Sequence, residues 1–137
     1  MLGAARRLVK CGVRRLLTLY QKKHNLLPEF RITWSIAFHE AAEKEFLAQP
    51  QDIQARFERI KALIEAYGLE RLPGKYAKHL QGPIWEFRLK GRGGIGRALY
   101  VTLSGQRIVV VRVFIKKTQK TPRRELELAV ARTKELS

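Results

Sequence analysis

Eleven Lys or Arg residues and no Asp or Glu lie between positions 88 and 124 of this 137-residue chain. Cations packed together repel one another, so a run of one sign on a compact scaffold implies a polyanion or an acidic partner. Arg88, Arg97, Arg112, Lys116, Lys117 and Lys120 form the constellation that could act on such a ligand, with Lys90 and Arg92 extending it. A guanidinium can hold two oxygens of a phosphate through parallel hydrogen bonds and stays protonated throughout. The chemistry on offer is therefore the binding of phosphate and the stabilisation of its charge.

Other chemistries find less support. Cys11 is the only cysteine, and His24, His39 and His79 lack metal-ligand spacing, so neither a metal site nor a cofactor is expected. Ser104 belongs to a turn, with no base and orienting group beside it for a hydrolytic triad. Glu86 next to Arg88 is either a general base or an ion-pair partner, and the surrounding cations favour the partner role. Residues 91–96, GRGGIG, match a dinucleotide-binding pattern letter for letter. That pattern requires a helix straight after its third glycine. RALYVTL follows instead and favours a strand, so the glycines are read as a hairpin loop.

The elements that must position the cations follow from periodicity. Residues 31–38 alternate as a strand, with Ile32, Trp34, Ile36 and Phe38 on one face. Residues 39–48 read as a short helix begun by His39, with Ala42, Phe46 and Leu47 turned inward. Residues 51–67 are the clearest helix, because Ile53, Phe57, Ile60, Ile64 and Tyr67 keep one stripe and Gly68 is a natural stop. Residues 72–82 read as a linker. Trp85, Phe87 and Leu89 then alternate with Glu86, Arg88 and Lys90, a strand over 97–103 follows, and Ser104-Gly105 turns the chain. Residues 107–115 are almost continuously β-branched and read as the central strand, with Val109, Val111, Val113 and Ile115 sharing a face. Thr121 as N-cap and Pro122 as first residue open a last helix, whose inner face is Leu126, Ala129 and Val130. The class is α+β: a small antiparallel sheet in β-α-α-β-β-β-α order, with a helical hairpin on one face.

The net charge of +16 is unevenly placed. Residues 39–72 carry seven acids and five bases, whereas residues 1–31 carry eight bases and one acid. A basic part beside a mildly acidic helical part favours nucleic acid as target. Residues 1–30 read as a basic amphipathic extension outside the main domain, residues 31–137. No apolar run approaches the roughly 20 residues of a membrane span. A lone cysteine fits a reducing cytoplasm.

Residues 113–129, VFIKKTQKTPRRELELA, resemble the signature end of the RelE/ParE superfamily of bacterial toxins, and KHLQGPIWEFRLKGRGGIGRALYVT, residues 78–102, resembles its phage-derived, HigB-type branch. The resemblance spans residues 31–136 and implies a small antiparallel sheet with a helical hairpin and a C-terminal helix. It also implies the toxin of a type II toxin–antitoxin system, held inactive by a helix-turn-helix antitoxin. RelE-like members cleave messenger RNA in the ribosome, and ParE-like members poison DNA gyrase. On the RelE-like side the resemblance puts Arg97 at the scissile phosphate, Arg88 one strand earlier and Lys117 after the last strand, as catalytic residues. Lys90, Arg92, Arg112, Lys116 and Lys120 would then bind RNA. Two departures stand out: the C-terminal helix has no tyrosine, and Arg112 occupies a position that is often histidine in this branch.

The expected reaction is attack of a ribose 2′-OH on the adjacent phosphate, needing neither metal nor cofactor. Arg88 and Arg97 would stabilise the developing charge, and Lys116, Lys117 or Lys120 would act as base where neighbouring cations favour its neutral form. The alternatives are a non-enzymatic gyrase inhibitor, or a decayed toxin that only binds RNA or its antitoxin.

Overall fold

The computed structural model of the chain describes residues 33–116 and 120–136. The expected extension over residues 1–30, Ile32 and Lys117 lie outside them. The elements are β1 (Ser35–Phe38), α1 (Glu40–Leu47), α2 (Gln51–Tyr67), β2 (Ala77–Gln81), β3 (Ile84–Gly91), β4 (Gly94–Leu103), β5 (Arg107–Lys116) and α3 (Arg123–Lys134). The strands form one sheet in the order β1-β5-β4-β3-β2. The α+β class and the helical hairpin are as expected, with three corrections. The linker over 72–82 contains β2, an exposed edge strand whose residues AKHLQ carry no apolar alternation to announce it. β1 joins β5 in parallel, so the sheet is mixed; the two helices and two hairpins between them provide the long crossover that parallel pairing needs. The central strand is β4, because the short β1 lies on the far side of β5.

Local chemistry sets the helix limits. His39 caps α1, its Nδ1 accepting the Ala41 N–H at 3.2 Å, and Glu40 and Glu43 lie in the first turn, where the helix dipole favours acids. Pro50 opens α2, and Gly68, at φ 91°, ends it. Ile53, Phe57, Ile60 and Ile64 are buried, whereas Tyr67 at the end of the same stripe is 66% exposed. Leu47, expected inside, is also exposed at the end of α1.

The sheet separates two apolar layers. α1 and α2 pack on one face over Phe57, Phe87 and Tyr100, with the last two rings stacked at 3.9 Å. α3 covers the other face through Ala129, against Leu99, Val101, Val109 and Val111. A β-bulge decides which side chains reach which layer. Tyr100 pairs with Val110 and Leu99 with Arg112, leaving Val111 without an opposite residue. Val109 and Val111 therefore face α3 while Val113 faces α1 and α2. The single stripe expected from Val109 to Ile115 is thus broken, and Arg112, Phe114 and Lys116 are turned onto the α3 face.

Candidate functional site

Arg88 and Arg97 are register partners across β3 and β4, on the α3 face. Glu86 is two residues before Arg88. Its Oε1 lies 3.8 Å from both Arg88 Nε and Arg97 Nε, and its Oε2 accepts the Thr121 hydroxyl at 2.9 Å. The sequence reading put these side chains on an open polar face and made Thr121 a helix cap. Instead, Glu86 is 1% exposed, Arg97 5% and Lys116 8%. Pro122 is the N-cap of α3, and the hydroxyl of Thr121 is engaged by the buried carboxylate. Glu86 is the ion-pair partner that its neighbours suggested.

This site contains unmade bonds. Arg97 Nε and Nη1 and Arg88 Nε are buried, and among the described residues none has a hydrogen-bond partner. Buried donors are nearly always satisfied, and an orphan costs about 1–3 kcal/mol. An acceptor brought by a ligand would satisfy them. Burial pulls the Arg97 guanidinium below its ordinary pKa, Arg88 adds to the effect, and Glu86 opposes it. Lys116, at the end of β5, is also shifted down, first by burial and then by the charge of Arg97, with Lys78 and Arg88 contributing and Glu86 opposing. The arginine starts so high that it remains a cation, whereas the lysine moves toward its neutral form. Lys78 was not read as a site residue. It pairs with Glu86 across β2 and β3, and only recognition of β2 would have revealed it.

Arg112 is not brought into this cluster. Its Nη1 contacts Glu45, its Nε donates to Glu125 at 2.6 Å, and its guanidinium lies over the Phe114 ring. Glu45 also accepts Arg132 Nη1 at 2.7 Å and the Val113 N–H at 3.3 Å, while Arg132 donates to the Val111 carbonyl. The edge of β5 beyond β1 is capped by these side chains. Burial opposes the charge of Arg112, but its bond to Glu125 and the two carboxylates hold its pKa above the ordinary value. Arg112 thus fastens α1 and α3 to the sheet. Lys90 and Arg92 border a separate groove at the β3–β4 hairpin, and Lys120 sits on an exposed bend.

The glycine motif forms the hairpin itself, because β3 ends at Gly91 and β4 begins at Gly94. No helix follows, which excludes the dinucleotide reading. A Cβ on Gly91 would lie 2.6 Å from Ile53 Cδ1 and 2.7 Å from Asp52 Oδ2, so any larger residue there would displace these two α2 side chains. Asp52 Oδ2 accepts the Arg92 N–H at 2.7 Å and ties the hairpin to α2. Among the described residues, no three His, Cys, Asp or Glu side chains group as metal ligands.

Residues 44–134, about two thirds of the chain, match the family described as phage-derived Gp49-like protein. The chain belongs to the Gp49-like family. That family is part of the RelE/ParE-like toxin superfamily. No curated protein matches the sequence. Among solved structures, the Gp49-like chain is similar to RelE in an archaeal RelE–RelB complex from Pyrococcus horikoshii OT3, at 17% identity and a TM-score of 0.50, over 62% of this chain and 97% of that one. It is also similar to a doubly arginine-substituted mutant of E. coli toxin RelE in the free state, at 15% identity and a TM-score of 0.50, over 77% and 99%. Family and fold together make this a RelE-like toxin of a toxin–antitoxin system. Among the described residues no helix is long and apolar enough to cross a membrane.

Proposed function

We propose that this Gp49-like protein is a cytoplasmic ribonuclease toxin that cuts messenger RNA on the ribosome. The observation that carries the reading is the buried, unsatisfied edge of Arg97, beside Arg88 and a lysine shifted toward neutrality. A phosphate oxygen entering here would meet donors already in place. The ribose 2′-OH attacks phosphorus in line and the bond to the 5′-oxygen breaks, leaving a 2′,3′-cyclic phosphate, and the departing 5′-oxygen takes a proton from water to become a 5′-OH. Arg97 and Arg88 stabilise the added negative charge of the phosphorane. Lys116 is the described residue best suited to take the 2′-OH proton, because a base with a lowered pKa has more neutral amine at working pH. The ribosome would supply substrate geometry, a large part of the rate.

The archaeal neighbour was crystallised with RelB, which supports an antitoxin partner for this chain. The family resemblance adds that the partner is a helix-turn-helix protein. The test is to incubate purified protein with programmed ribosomes and map the message ends. Codon-phased cuts with 2′,3′-cyclic phosphate termini are expected. Intact messages beside lost gyrase supercoiling would overturn the reading in favour of gyrase inhibition. Intact messages with normal supercoiling would leave a toxin that only binds.

A further inference from the structure

A second basic cluster lies at the open edge of β3, on the α2 side. Asp52, Ala55, Arg56 and Arg59 of α2 and Lys90, Gly91 and Arg92 of the hairpin line a groove of about 580 Å³. The sequence concealed it, because α2 falls in the segment of net negative charge. Among the described residues, none of Arg56, Arg59, Lys90 and Arg92 forms a side-chain ion pair. The one carboxylate present, Asp52, accepts the backbone N–H groups of Arg92 and Ile53.

The backbone adds a donor. β2 pairs with β3 only through Phe87, and the Arg88 N–H, pointing outward, reaches the Tyr76 carbonyl. N–H groups alternate along a strand, so that of Lys90 points to the same side as that of Arg88, and Arg92 follows in the hairpin turn. Arg92 gives its N–H to Asp52, whereas the N–H of Lys90 meets no strand at this edge. Arg56, Arg59, Arg92 and an outward amide thus line one groove, to which Lys90 contributes its backbone, since its side chain falls on the same sheet face as that of Arg88.

We infer that this groove binds the phosphodiester backbone of RNA at a position remote from the cleaved bond. The inference deepens the ribonuclease reading and rests on it for the class of ligand. The lining favours nucleic acid over an acidic peptide. A peptide gains most of its affinity from apolar or aromatic anchors seated in pockets. Here only Ala55 and Gly91 are apolar, and the exposed Trp85, Tyr67 and Leu47 are not part of the lining. A phosphate backbone needs only cations and N–H donors. Binding energy gathered here would hold the message while Arg97 acts on another phosphate.

The test uses a short, fluorescent 2′-O-methyl oligoribonucleotide, which lacks the attacking hydroxyl and so reports binding alone. Arg56→Gln combined with Arg59→Gln is compared with Lys44→Gln combined with Lys134→Gln, which removes two exposed cations elsewhere. The groove pair is expected to weaken binding and to lower the salt slope by about 0.7 per lost phosphate contact, so by about 1.4. The control pair should leave the slope unchanged. Equal effects of the two pairs would reduce the result to net charge and overturn the site. An unchanged slope in the groove pair, with its thermal unfolding normal, would also overturn it. So would loss of binding to a polyglutamate peptide with RNA binding intact. If the wild-type protein cuts no message but the groove pair still loses RNA affinity, the ribonuclease reading falls and the groove stands.

Discussion

Replacing Arg97 by methionine keeps an unbranched stem and deletes the guanidinium, which separates chemistry from stability. A surface arginine would change stability by no more than about 0.5 kcal/mol. Arg97 is instead buried, with Nε and Nη1 unpartnered and Glu86 at 3.8 Å. Losing the attraction to Glu86 forfeits about 4 kcal/mol at an effective dielectric of about 20. Against it stand a desolvation cost of several kcal/mol per buried ion and about 1–3 kcal/mol for each unmade hydrogen bond. The downward shift of the Arg97 pKa shows that burial and Arg88 together outweigh Glu86. Glu86 keeps Arg88 and Thr121 after the change. The expected Tm of Arg97→Met is unchanged or higher, by up to about 4–8 °C for a gain near 1 kcal/mol in a domain this size. Single-turnover cleavage on programmed ribosomes should fall by about 10²–10³. Wild-type cleavage would remove Arg97 from the chemistry. A Tm lowered by several degrees alongside lost cleavage would make it a structural cation.

Four further outcomes are expected. Lys116 has a pKa below its ordinary 10.5, so the cleavage rate should climb with pH through the shifted value and level off before 10.5; Lys116→Arg, always charged, should lose that rise in a pH–rate profile. Glu45→Ala leaves the Val113 N–H without its acceptor and takes one carboxylate from Arg112 and Arg132, which keep Glu125 and the Val111 carbonyl; these groups are partly exposed, so the cost is about 2–3 kcal/mol, below that of a fully buried pair, and urea unfolding measures it. Burial raises the Glu45 pKa, but the bonds and charges of Arg132, Val113 and Arg112 outweigh that and depress it below 4.5; its stabilisation is therefore present above pH 4.5 and fades as pH falls through the folded value. A protein lacking residues 1–30 should still unfold cooperatively and bind its antitoxin, and a non-cooperative melt would count against that boundary.

The parts of the fold legible in the sequence are those whose burial is periodic. α2 shows its Ile53–Phe57–Ile60–Ile64 stripe, and β3 shows Phe87 and Leu89, although Trp85 of the same expected stripe is exposed. β2 was missed because an exposed edge strand needs no apolar pattern. Tyr67 was misplaced because periodicity marks a face and not where its cover ends. Arg88, Arg97 and Lys116 were named correctly as neighbours, but as surface groups. Nothing local in RALYV shows that Arg97 is buried on the sheet face that carries α3. Arg56 and Arg59 escaped notice because charge was counted along the chain, where Glu58 and Glu65 offset them, and not across the groove.

The bulge at Val111 links fold to chemistry. Had β5 alternated regularly through Val111, Arg112, Phe114 and Lys116 would fall on the face covered by α1 and α2, away from Arg97. With a two-residue side-chain period, one bulged residue decides the face of every residue after it. Once on the α3 face, the cations divide by what meets them. Arg112 finds carboxylates on both α1 and α3 and becomes a fastener. Lys116, four residues on, lies beside Arg97, and burial together with that charge lowers its pKa. The acid-free run thus yields two kinds of cation. One kind is neutralised by acids from distant elements and holds helices to the sheet. The other is gathered with Glu86, whose single carboxylate leaves part of Arg97 unsatisfied. An entering phosphate would supply the missing acceptor, so the same local deficit that lowers stability is the one a substrate would fill.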